Sequence, residues 1–281
     1  MTHLKHLIAA ATGLAMLTTA GTASAAVTPF TFNPSLSNPP LSTAGAFTAD
    51  NLIFSQYSNI DINGNTGTFS ESGILQVANF QFKGATLLPP GFAGTAGATP
   101  YSLYLTFTAT GNINGATAGS TGKFTSLSVN LVGDFNNDNG AITVTGAGAA
   151  FAGNIANDVL LATGTLTSGT VALGGNPSTD PAASPVLPSA FALVKFTDAI
   201  PTAGGFFVVP STMQFNLDSA FTNSNQVTTY TRTETGINLK INGGAGNATI
   251  TAQPVAVPEP ASLALLGVGL AVVGVFRRRR V

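Results

Sequence analysis

The chain contains no cysteine and no tryptophan, and its only histidines are His3 and His6. Without cysteine the chain has no disulfide staples, so burial and backbone pairing must hold the fold. Only 7% of the 281 residues are charged, against 44% hydrophobic. Amphipathic helices place Glu, Lys and Arg on their wet face, and this composition supplies too few of them. Gly, Ser, Thr, Asn and Ala make up most of the remainder, beside Val, Phe and Ile. That mixture suits strands joined by tight turns. From Ala26 to Val257 the basic residues are Lys83, Lys123, Lys195, Arg232 and Lys240, five against ten acidic ones, a net charge of −5. No basic stripe exists to meet phosphates, so nucleic acid is not an expected partner.

Both ends read as targeting segments. Lys5 forms a short basic n-region, Leu7 to Leu17 is apolar except for Thr12 and Gly13, and Ala23-Ser24-Ala25 is a small-x-small cleavage site. Residues 1–25 are therefore expected to be a signal peptide cut after Ala25. At the other end, Ala261 to Phe276 is an uncharged run of 16 residues followed by Arg277, Arg278, Arg279 and Arg280. A helix of that length spans about 24 Å, somewhat short of a hydrocarbon core of about 30 Å. Snorkelling arginines and the apolar flank from Val255 to Val257 close the gap. Residues 261–276 are expected to form a transmembrane helix, with 277–281 as a basic cytoplasmic tail. Pro258-Glu259-Pro260 ends the 253–260 stalk and breaks any helix upstream, leaving an extended stretch just outside the bilayer.

Between these ends, residues 26–252 alternate apolar and polar positions in short segments. Leu127, Val129 and Leu131 oppose Ser126, Ser128 and Asn130; Ile237, Leu239 and Ile241 oppose Asn238, Lys240 and Asn242. Tyr101 to Thr108 and Met213 to Ser219 follow the same rule. Further strands are expected at 51–57, 67–82, 141–145, 159–167, 191–197, 206–209, 227–233 and 248–252. Asn63-Gly64, Asn114-Gly115, Asn139-Gly140 and Asn242-Gly243 can adopt the positive φ that hairpin turns need. The expected fold is all-β, an antiparallel β-sandwich of jelly-roll or immunoglobulin-like form, with long loops near 87–100 and 174–189.

Catalytic and binding candidates are few. With both histidines in the leader, the mature body lacks the parts for Ser-His-Asp or Cys-His catalysis and for the common zinc sites. Glu71 and Glu234 are the body's only glutamates. A carboxylate pair is the remaining hydrolytic option, and nothing in the sequence pairs two of them, so the protein is not expected to be an enzyme. Asp134, Asn136 and Asp138 place oxygen ligands at alternate positions before Gly140, a spacing that can wrap calcium. Asp61, Asn63 and Asn65 before Gly67 repeat it. Both depart from an EF-hand, with glycine one residue late and Thr145 or Ser72 where glutamate belongs; the plain alternative is a polar turn. Tyr57, Tyr101, Tyr104 and Tyr230 would form a sugar-stacking platform if exposed, and core packing if not.

The tail VPEPASLALLGVGLAVVGVFRRRR resembles the PEP-CTERM sorting signal of Gram-negative bacteria, in the order and spacing of proline motif, apolar run and arginines. The resemblance implies processing by an exosortase, a transient hold in the inner membrane through Pro258, Glu259, Pro260 and the arginines, then delivery to the cell surface or extracellular matrix. FTFNPS (Phe30 to Ser35), GAFTADNLIFSQYSNI (Gly45 to Ile60), GTFSESGILQVANF (Gly67 to Phe80) and YSLYLTFTATG (Tyr101 to Gly111) look like the flocculation-associated branch of such proteins. That branch implies a structural or adhesive role in biofilm or floc formation within an exopolysaccharide matrix. The alternative is a secreted carbohydrate-binding module, with calcium as an aid.

Overall fold

The computed structural model describes residues 29–175, 184–198, 206–209, 212–220 and 226–251. The signal peptide with Ala23 and Ala25, the stalk with Pro258, Glu259 and Pro260, the apolar run 261–276 and Arg277 to Arg280 all lie outside these residues. Within them, no helix is long and apolar enough to cross a membrane. All strand pairings are antiparallel.

The strands are β1 (Phe30–Phe32), β2 (Phe47–Ala49), β3 (Asn51–Asn63), β4 (Thr68–Phe82), β5 (Ala85–Leu87), β6 (Tyr101–Ile113), β7 (Thr121–Phe135), β8 (Ile142–Thr145), β9 (Gly148–Phe151), β10 (Val159–Gly175), β11 (Val186–Asp198), β12 (Phe207–Val209), β13 (Thr212–Ala220), β14 (Val227–Arg232) and β15 (Gly236–Thr251). The main sheet runs β13-β11-β10-β7-β6-β4-β3-β15-β14, and β13 also pairs with β15. That last ladder, from Gln214↔Thr251 to Ser219↔Gly246, joins the terminal strand β13 back to β15, next to the other end of the sheet. The expected two-sheet sandwich is therefore corrected to a closed ring of eight strands, an antiparallel β-barrel.

Alternation along a strand is identical in a sandwich and a barrel, so closure depends on β15. One edge of β15 pairs with β3 along its length; the other edge takes β14 over Ile237–Ile241 and β13 over Gly246–Thr251. Between these two partners the register slips at Asn242/Gly244, where Gly243 has φ +78°. Asn242-Gly243 is thus a bulge inside one strand, not the expected hairpin turn; a bulge bends and twists the strand that carries it. The stagger is large. Paired residues traced from Gly236 through Asn63, Thr68, Asn112, Lys123, Thr170, Phe191 and Asp218 return to β15 at Asn247, eleven residues along. Eight strongly tilted strands enclose an interior that side chains can fill or that can hold one small ligand.

The interior divides into two apolar clusters. The larger contains Leu52, Phe54, Leu75, Leu103, Leu105, Phe107, Val129, Leu131, Val194 and Phe196. The three-strand sheet β12-β1-β2 packs into it. Its phenylalanines form a chain of contacts: Phe32 lies 4.8 Å from Phe206 and 5.7 Å from Phe80, and Phe80 lies 5.0 Å from Phe92. The 87–100 connection is less superficial than expected, because Pro89 and Phe92 are buried in it. The 174–189 segment enters β10 at one end and β11 at the other, and residues 176–183 lie outside the described set. The smaller cluster holds Ile60, Ile62, Phe69, Ile113, Leu173, Val186, Ile237, Leu239 and Ile241. Glycine makes room here: a Cβ on Gly111 would sit 2.2 Å from the Phe69 ring.

Candidate functional site: a polar layer inside the barrel and a loop cluster at its end

Polar side chains separate the two apolar clusters. On β3, the inward positions run Leu52, Phe54, Gln56, Ser58, Ile60 and Ile62, so two polar residues interrupt an apolar stripe. On β4 the facing position is Glu71, paired across the ladder with Ile60 and, on β6, with Ala109. The Gln56 amide donates to Glu71 Oε1 at 2.6 Å and to Ser58 Oγ at 3.0 Å. Burial drives the Glu71 carboxyl up to about 7, and hydrogen bonds from Ser58 and Gln56 only partly offset this. Two cavities of about 30 and 50 Å³ flank the layer, both lined by Gln56 and Glu71. Each has room for a few waters, and neither is lined by Lys or Arg. The alternating pattern marks Glu71 as inward-facing, a signal present in the sequence; its isolation from any other carboxylate is visible only in the fold. Glu234, the other glutamate, lies exposed in the turn before β15.

A second polar cluster forms where β7 ends and β10 begins. Gly133 pairs with Val159, so the loops leaving β7 and entering β10 emerge side by side. Asp134 is only 2% exposed. Its Oδ2 accepts from Ser102 Oγ at 2.8 Å and its Oδ1 from the Asp138 backbone N–H at 3.0 Å. Burial raises the Asp134 carboxyl above its ordinary range, with the Asp158 charge adding to the rise. Asn136 and Asn137 take positive φ of 66° and 54° and are exposed. Asp138 instead faces the second loop, where the amides of Asn154 and Asn157 approach it at 3.4–3.5 Å. Asp158 accepts from the Tyr104 hydroxyl and from the Asn139 amide at 3.0 and 3.2 Å. Burial first, then the hydrogen bond and charge of Asp158, hold the Tyr104 hydroxyl far above its ordinary range.

The spacing Asp134–Asn136–Asp138 thus describes one loop in which Asp134 and Asp138 turn to different partners and Asn136 lies exposed, and no three acidic side chains of the described residues converge as a metal site. Asp138, Asn139, Asn157 and Asp158 are brought together instead, a set that no local spacing shows. In the other spaced loop, Asp61 accepts from Asn238 and Asn59, while Asn63 Oδ1 caps the backbone of Asn65 and Thr66. The tyrosines do not assemble a surface platform: Tyr101 and Tyr104 are buried, and Tyr57 and Tyr230 are half-buried. The β8–β9 hairpin lies over the outer face of β3 and β4, where Asn59 donates to Gly146 O and Ser72 to Ala147 O, with Phe151 against Tyr104 at 4.6 Å.

The body is thus an antiparallel barrel with a carboxyl held at mid-lumen, and nothing in that geometry specifies an address. The tail does: residues 256–280 match the family model of the PEP-CTERM protein-sorting motif. The chain carries that sorting motif, which implies an exosortase as its processing enzyme. No curated protein and no solved structure gives a match to the chain.

Proposed function

We propose that the protein is an exported, non-enzymatic matrix component. Its tail holds it in the inner membrane until an exosortase cuts near Pro258-Glu259-Pro260, and the barrel is then delivered to the cell surface or extracellular matrix. There it serves a structural or adhesive role in biofilm or floc formation, in contact with exopolysaccharide. The match of residues 256–280 to the sorting motif carries this reading. A body without His or Cys, whose one buried glutamate has an amide and a hydroxyl as its partners, is consistent with a role that needs no catalysis.

The test is the mass of the mature protein recovered from cells, for the wild-type chain and for a variant with Pro258, Glu259 and Pro260 all changed to alanine. Loss of the tail from the wild type and its retention in the variant support processing; identical masses with the tail attached overturn it. Deleting the protein should reduce aggregation of the cells. Undiminished aggregation, with strong binding of the purified body to one sugar class on a glycan array, would replace the structural role by a carbohydrate-binding one.

A further inference from the structure

The ring has two unlike ends. β3, β6, β10 and β13 begin at one of them, and β4, β7, β11 and β15 finish there, so Asn51, Tyr101, Phe135 and Thr251 mark a single end. From Thr251 the sequence continues to the proline motif and the apolar run that opens at Ala261. Those ten residue steps reach at most about 35 Å when fully extended. β3 has 13 residues; at about 3.4 Å each and a tilt of about 40°, the barrel stands roughly 30 Å tall. Bringing the far end to a bilayer would therefore use nearly the whole reach of the connection, whereas the Thr251 end needs almost none of it.

The exposed apolar side chains gather at the same end. Among the described residues the exposed large hydrophobics are Leu36, Leu88, Ile155, Leu160 and Phe191. Leu160 is the second residue of β10, and Ile155, 58% exposed, lies in the loop that leads into that strand. Leu88, 51% exposed, follows β5, which pairs with the last residues of β4. Leu36 follows β1 in the segment that caps this end, where Leu41 packs on Gly133 near the close of β7 and Ser42 donates to Thr99 O. Only Phe191 is elsewhere, beside Thr170 and Asp218 toward the far end. Single exposed apolar residues are ordinary; four at one end of a barrel form an uneven distribution. The charges at this end are mostly negative: Asp50, Asp138, Asp158 and Asp198 against Lys83. Asp50 accepts from the Lys83 backbone N–H, amides meet Asp138 and Asp158, and the Lys83 ammonium lies 5.2 Å from the centre of the Phe82 ring.

We propose that the Thr251 end of the barrel is a bilayer-facing surface, whose apolar rim of Leu36, Leu88, Ile155 and Leu160 rests on zwitterionic lipid while the tail holds the chain. This placement rests on the tail acting as an anchor, as proposed above. The division of labour follows from magnitudes. A few aliphatic side chains give only marginal, reversible membrane contact by themselves. A tether makes the second contact intramolecular, so a weak rim suffices to set orientation. Once the tail is cut, the rim alone does not retain the barrel. The carboxylates at this end select against anionic headgroups. The opposite end, with the turns after β3 and β14, then faces away from the membrane.

The test uses the chain with its tail intact, reconstituted into phosphatidylcholine vesicles that contain nitroxide-labelled lipid. The absence of native cysteine allows single fluorescent labels at exposed positions: Leu88→Cys or Ile155→Cys at the Thr251 end, Thr68→Cys or Asn112→Cys at the other. Labels at the Thr251 end should be quenched at least about twofold more than those at the far end, since an interfacial contact sits within about 5–10 Å of the acyl boundary. Adding phosphatidylglycerol should weaken that quenching, and salt should restore it. Ile155→Ser combined with Leu160→Ser should lower quenching of the Leu88→Cys label without changing flotation of the protein with the vesicles. Flotation with equal quenching at the two ends, or with more at the far end, overturns the orientation and leaves the anchor standing. Unchanged quenching in the double serine variant overturns the role of the rim. A chain that does not float with the vesicles overturns the anchor, and the orientation with it.

Discussion

Glu71 offers the sharpest test of the barrel interior. Its carboxyl rises from an ordinary 4.5 to about 7 because burial penalises the charged form. That rise corresponds to about 3 kcal/mol. A raised carboxyl means the folded protein holds the proton more tightly than the unfolded chain. The stabilisation is complete below about pH 4.5, is lost as pH climbs through 7, and stays lost above. Glu71→Gln removes the ionisation while keeping an oxygen for the Gln56 amide and offering a donor to Ser58 Oγ. At pH 8 the variant should be more stable than wild type by up to about 3 kcal/mol, a rise in melting temperature of roughly 6–12 °C for a body of this size. At pH 4 the two should coincide. Thermal melts followed by far-ultraviolet circular dichroism from pH 4 to 8.5 read the difference directly. Taking the difference cancels other groups with raised carboxyls, such as Asp134. A wild-type-minus-variant difference that does not change with pH would refute the reasoning, because it would mean that Glu71 titrates in water and not inside the barrel. Glu71→Leu serves as the contrast: it takes from the Gln56 amide one of its two acceptors and should be less stable than Glu71→Gln at every pH.

Substitutions at three further positions probe other parts of the fold. Gly111→Ala would place a Cβ 2.2 Å from the Phe69 ring and 2.3 Å from Lys123 O; the expected loss is about 2–3 kcal/mol in chemical denaturation, and a loss under half a kcal/mol would mean that Phe69 does not fill that niche. Gly243→Ala meets nothing within 4 Å but keeps φ at +78°, so its cost is purely conformational, about 1 kcal/mol, with Gly243→Asn costing less. Equal losses for the two would contradict the bulge. Tyr104→Phe removes the hydroxyl that donates to Asp158 and should cost about 1–2 kcal/mol without abolishing folding, since Asn139 still pairs with that carboxylate.

The strands were legible because alternation is a local signal. Tyr101–Ile113, Thr121–Phe135 and Thr68–Phe82 lie where period-two patterning puts them, and Asn63-Gly64 sits at the β3–β4 turn, whereas the turn after β7 falls at Asn136-Asn137, ahead of Asn139-Gly140. Of the six strands of three or four residues, β8 and β12 fall within the expected 141–145 and 206–209, while β1, β2, β5 and β9 were missed, because so short a run barely registers a period. Asn242-Gly243 was misread for a different reason. Asn-Gly reports a backbone willing to take positive φ, and a bulge uses that willingness as well as a hairpin does. The loop cluster was half legible. Asp134 and Asp138 stood out by spacing, but the partners that matter, Asn157 and Asp158, lie 19 residues further on by the Asp138–Asn157 separation, and only the β7–β10 ladder brings them near.

Closure also removes strand edges through which so sparsely charged a body would join its neighbours. Open sheets present unpaired strand edges, and exported proteins commonly guard them with charges. This chain has few charges to spend, and its strands are rich in residues that pair readily. A ring of eight strands removes the two long edges that a sandwich of the same strands would leave exposed. Beyond the ring, β14 pairs with β15 alone among the described strands. It is six residues long, carries a register slip between Val227 and Thr229, and ends on the exposed Arg232. Shortness, irregularity and a terminal cation are the means by which an edge resists pairing. A substitution that lengthened β14 or removed Arg232 should therefore promote self-association, while changes to the interior of β13, paired on both sides, should first cost stability and only then expose an edge.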